Sequence, residues 1–258
     1  MLCSLLSVLY PLYTIIMNDP SPPAYSRRAV FLDAFKYTIP VLLGYSTIGV
    51  AFGLFLTGTG YPPVLALVMS LWMFAGAGQF IAVGLFAAGT SLWEVCLIQL
   101  VVNARHIAYG LSMLKRFRGT GAFKPYLVFA LTDETFALLS SLPEEPMTEK
   151  RRLFYFYTSI LDQSYWVGGS VIGAVAGTLI PFDMTGISFA LTALFVVLLI
   201  EQIVRIKRPE IFVLSGGLAL LGVFFLPGSV SLLAALVLAL LLSPLLPLRK
   251  AIPSEGKS

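Results

Sequence analysis

The sequence is poor in charge. Asp, Glu, Lys and Arg make up only 12% of its 258 residues, about half the fraction a soluble domain carries. With 58% hydrophobic residues and a mean hydropathy of +0.89, this excludes an ordinary soluble domain and points to a multi-spanning membrane protein. Histidine is nearly absent as well. His106 stands alone, and one imidazole cannot supply the usual zinc set. Cys3 and Cys96 both lie in apolar runs and provide neither a disulfide framework nor a zinc spacing. No GxxxxGK(S/T) loop is present, so the chain carries no ATP motor. There is no HExxH, and Ser112, though near His106, has no GxSxG turn around it. The expectation is a protein that is not an enzyme and uses no cofactor or metal.

The length allows about six to eight membrane segments of roughly 20 residues and leaves no room for a separate soluble domain. The net charge of +4 sits in short loops between apolar segments. It reads as a topology signal and not as a nucleic-acid surface. Residues 1–26 form an N-terminal extension, 27–250 one transmembrane domain and 251–258 a C-terminal tail. The first 16 residues are apolar but lack a basic leader, so they fit a secretory signal poorly. Met17 opens a stretch that resembles a short cytoplasmic start. The expectation is a native start at Met17; the alternative is a short extra membrane-associated helix.

Apolar segments cover 37–57, 62–88, 91–114, 126–142, 153–180, 186–204, 210–226 and 229–248. Basic loops hold Arg27, Arg28 and Lys36, then Lys115 to Lys124, Lys150 to Arg152, Arg205 to Arg208, and Arg249 with Lys250. The positive-inside rule puts every one of these in the cytoplasm. Three apolar segments separate the first two basic loops and one separates the second from the third. Odd numbers cannot return the chain to the same side. So at least one of 37–57, 62–88 and 91–114 should not cross, and neither should 126–142; 91–114 and 126–142, both interrupted by charged or amide groups, are expected to be the broken or re-entrant ones. Such backbone is tolerated at membrane depth where it is buried in protein or lines a cavity. The competing reading is one loop that violates the charge rule.

Gly44, Gly49 and Gly53 share their spacing with Gly168, Gly173 and Gly177. The match suggests an internal repeat of the kind many transporters use. A close-packed helix face explains it equally well.

Five polar features interrupt the apolar segments. Gly76, Gly78 and Gln79 lie in Phe74–Phe80. Two glycines weaken a helix by about 1 kcal/mol each, and an unwound end can hold a carboxylate or an ammonium. The bland alternative is a tight helix crossing. Asn103, Arg105 and His106 end the run that begins at Leu92. On an ideal helix Gln99, Asn103 and His106 share a face, while Arg105 points towards the side of Glu94. Arg105 can clamp a carboxylate bidentately, and His106 can titrate near neutrality; alternatively both simply snorkel at the interface. Asp133 and Glu134 follow Thr132 in the middle of 126–142. They can pair with Arg105, bind a cation or relay protons. Equally, Thr132 is an N-cap with the two acids in the first turn. Asp162, beside Gln163, lies about 13 Å into its segment if that segment starts near Leu153, which makes it a proton-coupling candidate. Glu201 and Arg205, four residues apart, read as an interfacial pair. Scattered intramembrane polar groups favour a secondary transporter. A channel has no visible filter or acid ring in its support.

Four pieces carry a resemblance: Pro40, Gly44, Gly49 and Gly53; Phe74-Ala75-Gly76-Ala77-Gly78-Gln79-Phe80; Asn103-Ala104-Arg105-His106 with Tyr109 and Gly110; and Leu131-Thr132-Asp133-Glu134 with Phe136. In order and spacing, over about residues 27–210, the chain resembles the AzlC family of branched-chain amino acid exporters. Gly78 stands where serine is more usual, and Ala104 where a larger aliphatic residue is. The resemblance implies export of leucine, isoleucine and valine, with methionine as a further cargo, by a multi-pass protein of the bacterial cytoplasmic membrane. It also implies a small, separately encoded membrane subunit of the AzlD type. An all-α polytopic bundle in the lipid bilayer is expected, with substrate held by Gly76, Gly78, Gln79, Asn103 and Arg105. His106, Asp133, Glu134 and Asp162 are the expected proton-coupling groups. Phe, Leu and Met residues of 69–86, with Trp72, are candidates for the apolar pocket that such cargo needs. Rival readings are an uncoupled facilitator and a subunit that transports only with its small partner.

Overall fold

The computed structural model describes residues 26–179 and 209–225, with isolated positions at 196, 199, 200, 203, 234 and 238. Within these the secondary structure is helical, without a strand. Two runs, Arg27–Gly58 and Leu92–Met113, are long and apolar enough to cross a membrane.

The first helix, α1 (Arg27–Gly58), starts where the Ser26 hydroxyl accepts the Arg28 N–H at 3.3 Å. Pro40 lies inside it and removes one backbone donor, which membrane helices tolerate better than soluble ones. Gly60, with φ +90°, then turns the chain into Pro62 and Pro63. Pro63 occupies the first position of α2 (Pro63–Trp72), where its missing N–H costs nothing. α2 stops at Met73–Ala75, and α3 (Gly76–Ala87) resumes. The long α8 (Glu149–Leu179) is capped by Thr148, whose hydroxyl accepts the Arg151 N–H at 3.2 Å. Between α3 and α8 lie α4 (Leu92–Val102), α5 (Ala104–Met113), a short 3-10 turn (Gly121–Phe123), α6 (Lys124–Phe129) and α7 (Asp133–Ser140). The last described helix is α9 (Pro209–Phe225).

These helices fall into two compact units. One holds α1–α3 and α5–α8; the other holds α4 and α9. In the second unit α4 opens with a reciprocal cap: the Ser91 N–H donates to Glu94 Oε2 at 3.2 Å and the Glu94 N–H to Ser91 Oγ at 3.4 Å.

The first unit is built on α1 lying along α8, with α2 also against α8. The two backbones nearly touch. A Cβ on Gly53 would collide with the Ser170 carbonyl, one on Gly173 with the Val50 carbonyl, and one on Gly49 would stand 3.0 Å from the Ser170 amide. Close approach through small residues is how helices pack where the hydrophobic effect offers little. Four of the six repeat-suggesting glycines (Gly49, Gly53, Gly173 and Gly177) therefore serve this contact, while Gly44 and Gly168 face open space.

Polarity in this unit is the reverse of a soluble protein. Leu43, Trp72 and Leu179 are 67%, 80% and 75% exposed, whereas Thr38, Gln79, Thr135 and Asp162 are wholly buried. Soluble proteins seldom bury such groups together. Trp72, expected in an apolar pocket, lies on the outside instead.

The apolar segments 91–114 and 126–142 are indeed interrupted, by a turn at Asn103 and by non-helical backbone at 130–132. Segment 62–88, one of the three among which the charge count required a non-crossing segment, is interrupted too, although 91–114 was the expected one. Its break is at Met73–Ala75, just ahead of Gly76 and Gly78, and Phe74 adopts the left-handed φ of +37°. The Phe74 ring is buried and meets Tyr45 edge-on at 6.3 Å, so packing fixes the break just ahead of the two glycines that weaken the helix here. α8 begins at Glu149, ahead of the expected Leu153, because Lys150, Arg151 and Arg152 continue the helix beyond its apolar part. Segments 186–204 and 229–248, the Glu201–Arg205 pair and the first 16 residues lie outside the described residues.

Candidate functional site

Thr132 organises the site. Its backbone is extended, and its Oγ1 accepts the Thr135 N–H at 3.3 Å. That caps α7 and places Asp133 and Glu134 in the first turn, where the helix dipole favours negative charge. The capping reading therefore holds, and it holds inside a broken segment, since α6 has already ended at Phe129.

The two acids turn to different neighbours. Asp133 faces α5: its Oδ2 is 2.6 Å from Arg105 Nη1, and its Oδ1 accepts the Tyr109 hydroxyl. Tyr109 lies one turn beyond Arg105, and its ring stacks on Phe136 of α7 at 4.5 Å. The side chains of Arg105 and Asp133 are 34% and 23% exposed. A pair that open to its surroundings contributes on the order of 1 kcal/mol at most, so its main effect is to fix two groups beside an opening. Arg105 Nε is buried without a partner among the described residues.

Glu134 faces α1, where Tyr45 donates to its Oε2 at 2.6 Å. The Tyr45 oxygen is also 2.5 Å from Thr132 Oγ1. Thr132 donates to Thr135 Oγ1 at 3.2 Å, and Thr135 donates to Asp162 Oδ2 at 2.8 Å. Asp162 is fully buried in the middle of α8, and its Oδ1 has no partner among the described residues. Its neighbour Gln163 accepts from the Tyr126 hydroxyl at 2.8 Å and donates to the Leu71 carbonyl at 3.1 Å, tying α6 to the last turn of α2.

Gln79 is buried in α3. Its Oε1 accepts from Trp166 Nε1 at 2.8 Å, and its Nε2 donates to Ser70 Oγ at 3.3 Å. Gly76 lies against the same indole, where a Cβ would come 3.1 Å from Trp166 Cη2. Trp166 meets Tyr45 edge-on at 5.5 Å. Gly76 and Gln79 thus reach the acids through Trp166 and Tyr45, not directly. Gly78 sits in the same first turn of α3.

His106 turns back on its own helix. Its Nδ1 is 3.2 Å from the Asn103 carbonyl, and its ring meets Tyr109 edge-on at 5.9 Å. The shared face of Gln99, Asn103 and His106 expected on an ideal helix is interrupted by the turn at Asn103.

Sequence reasoning missed Tyr45, Thr135 and Trp166, and gave no role to Tyr109 beyond its place in the motif that carries the resemblance. A tyrosine in an apolar run carries no signal of its own in a chain with 11 of them. The spacing of Asp162 and Trp166, one turn apart on α8, is the one hint that was available.

A separate cavity of about 350 Å³ is lined by Lys115, Arg116, Arg118, Arg151 and the segment Glu144–Met147. Two of its cations are already engaged. Arg116 donates to the Leu142 carbonyl at 2.7 Å, and Arg151 to Glu145 Oε2 at 2.9 Å and to the Pro143 carbonyl. This cavity is a structural clasp at the end of α7. No cluster of three metal-ligating side chains occurs among the described residues.

Comparison with known proteins matches residues 40–180 to the family model described as AzlC protein. The chain is 34% identical over 209 residues to the branched-chain amino acid transport protein AzlC of Bacillus subtilis, covering 81% of this chain and 82% of that one. It is 48% identical over 176 residues to an uncharacterized membrane protein of Helicobacter pylori, covering 68% and 76%. It is 30% identical over 228 residues to the inner membrane protein YgaZ of Escherichia coli, covering 86% and 92%. No solved structure matches at a significant level.

Proposed function

Because the chain belongs to the AzlC family, we propose that it is a secondary transporter exporting leucine, isoleucine and valine, with methionine as a further cargo, across the bacterial cytoplasmic membrane. Export is driven by protons, and a small AzlD-type membrane subunit assists it. The chain folds as a multi-pass bundle of about six to eight segments, built on two related halves around α1 and α8.

One observation carries this reading: the Arg105–Asp133 ion pair stands at a half-open break between short helices, and the adjacent Glu134 connects inward to a buried carboxyl. An amino acid has a carboxylate, an ammonium and an apolar side chain. Arg105 has five N–H groups and supplies the carboxylate partner, with Asn103 alongside. Asp133 supplies the ammonium partner. The first turn of α3, with Gly76, Gly78 and Gln79, offers backbone N–H groups near the same aromatic wall. Cargo entering between Arg105 and Asp133 competes for both. Glu134 and Asp162 then carry the coupled proton, with His106 beside Tyr109 as a further titrating group.

Labelled leucine loaded into proteoliposomes should leave faster under an imposed pH gradient than without one, most strongly when the small subunit is present. Arg105→Ala and Asp133→Asn should each abolish export while the protein still inserts. Wild-type export by both variants would refute the site, and export indifferent to the gradient would refute the coupling.

A further inference from the structure

We propose that Glu134 and Asp162 share a single mobile proton, passed between them through the hydroxyls of Tyr45, Thr132 and Thr135. The proposal deepens the proton-coupling reading above by naming the path. It rests on a count of hydrogens.

The oxygens form a line from Glu134 Oε2 through Tyr45, Thr132 and Thr135 to Asp162 Oδ2, joined from the side only by the Thr135 N–H, which donates to Thr132 Oγ1 and has no proton to pass along it. Successive separations are 2.6, 2.5, 3.2 and 2.8 Å. A hydroxyl owns one hydrogen, so three hydroxyls bring three hydrogens to four contacts. With both carboxyls ionised, Tyr45 donates to Glu134 while Thr132 donates to Thr135 and Thr135 to Asp162. The contact between Tyr45 and Thr132, the shortest of the four, then has no hydrogen in it. Two oxygens facing each other this closely, away from water, repel. One added proton repairs the line. Placed on Glu134, it gives donation in one direction throughout: Glu134 to Tyr45, Tyr45 to Thr132, Thr132 to Thr135, Thr135 to Asp162. This agrees with the direction of the two threonine bonds.

The line has a mirror state. The Glu134 O–H breaks as its proton moves to the Tyr45 oxygen. Tyr45 gives its own proton to Thr132, Thr132 to Thr135, and Thr135 to Asp162, where a new O–H forms. Three hydroxyls are regenerated, one proton has moved from Glu134 to Asp162, and no electrons are exchanged. Donation then runs in the opposite direction along the same oxygens.

The charged and titratable groups facing the two ends differ. Beside Glu134 stand Asp133 and Arg105. Asp162 feels Glu134 at the other end of the line and the phenols of Tyr37, Tyr45, Tyr126 and Tyr165, with no ion pair among the described residues. The Glu134 end therefore feels whatever happens at the Arg105–Asp133 pair, while the Asp162 end is insulated. Cargo that displaces Asp133 from Arg105 changes the charge next to Glu134 and biases which end holds the proton.

The test combines infrared spectroscopy with transport, on the full chain reconstituted with its native co-purifying subunits. The wild-type protein should show one buried protonated-carboxyl band that shifts in heavy water. Glu134→Gln and Asp162→Asn should each remove it, because either amide supplies the missing N–H donor and the line closes without a proton. Thr135→Val, which keeps shape and leaves the Thr132 cap intact, should lose proton-driven export at least tenfold while retaining leucine–leucine exchange. Thr135→Ser should restore both. A band that survives in either amide variant, or is absent from the wild type, would overturn the shared proton. So would Thr135→Val exporting against the gradient like the wild type. If wild-type export ignores the pH gradient, the coupling reading fails separately, and the band pattern alone decides whether the proton is shared.

Discussion

Trp166 of α8 donates its indole N–H to the Gln79 side chain of α3 at 2.8 Å, with both groups buried. This bond pins the helix that follows the Phe74 break to the long helix that carries Asp162. An indole N–H has one use, and once buried it must be used. The same indole is the floor under Gly76 and the wall beside Tyr45.

Removing its acceptor should therefore be felt in stability. Gln79→Leu leaves the Trp166 N–H buried and unpaired, a loss of roughly 1–3 kcal/mol. The expected outcome is a lower midpoint of thermal unfolding in detergent. Trp166→Phe in the Gln79→Leu background should cost less than the two single changes added together, because the orphaned donor is gone. Strict additivity would contradict the bond.

Some of this site was legible in the sequence. Arg105 and Asp133 are ionisable groups in apolar segments, and each is costly without the other, so their pairing could be anticipated from charge alone. Thr132 followed by two acids carries the composition of a helix start, a capping residue with negative charge in the first turn. The interruptions at Asn103 and at 130–132 were anticipated from two signals together: the count of basic loops, and the polar groups that break these two apolar segments. Gly76 and Gly78 marked a weak point in 62–88, but the position of the break at Phe74 did not follow, because it depends on Phe74 packing against Tyr45, a contact between segments far apart in the chain. Tyr45 was invisible for the same reason: its role is set by which oxygens surround its hydroxyl, and periodicity says nothing about that.

The glycine pattern leads to a prediction that separates packing from repetition. Gly53 and Gly173 stand where a Cβ meets the opposite helix's carbonyl, whereas Gly44 and Gly168 have nothing within 4 Å. Gly53→Ala and Gly173→Ala should each destabilise by about 1–3 kcal/mol or more, because backbone cannot move aside as a side chain can. Gly44→Ala and Gly168→Ala should be neutral or gain up to about 1 kcal/mol from helix propensity. Unfolding midpoints of the four variants check this. Equal effects at all four sites would show that the shared spacing, and not the contact, governs these positions.

The far end of α7 offers a contrast between two kinds of ion pair. The Arg151 side chain is 3% exposed and pairs with Glu145 at 2.9 Å. It also donates to the Tyr155 hydroxyl at 3.0 Å and to the Pro143 carbonyl. Lys115 and Arg116 approach Glu144 only at 3.8 and 3.9 Å, and Glu144 is 70% exposed. Arg151→Ala removes a buried fork that holds the chain leaving α7, taking a donor from the Tyr155 hydroxyl and leaving the Pro143 carbonyl with only the longer 3.4 Å bond from Arg116. It should cost roughly 2–4 kcal/mol, with each lost charged hydrogen bond contributing about 1.5–3. Lysine should rescue little, since it cannot reach three acceptors in fixed directions. Glu144→Ala removes only exposed contacts and should change stability by less than about 0.5 kcal/mol. Hydrogen exchange along 133–140 gives the more specific readout. Arg151→Ala should speed exchange at the end of α7 nearest Ser140, while the end capped by Thr132 stays protected. Uniform acceleration along the helix would show that Arg151 supports the whole bundle and not this one helix end.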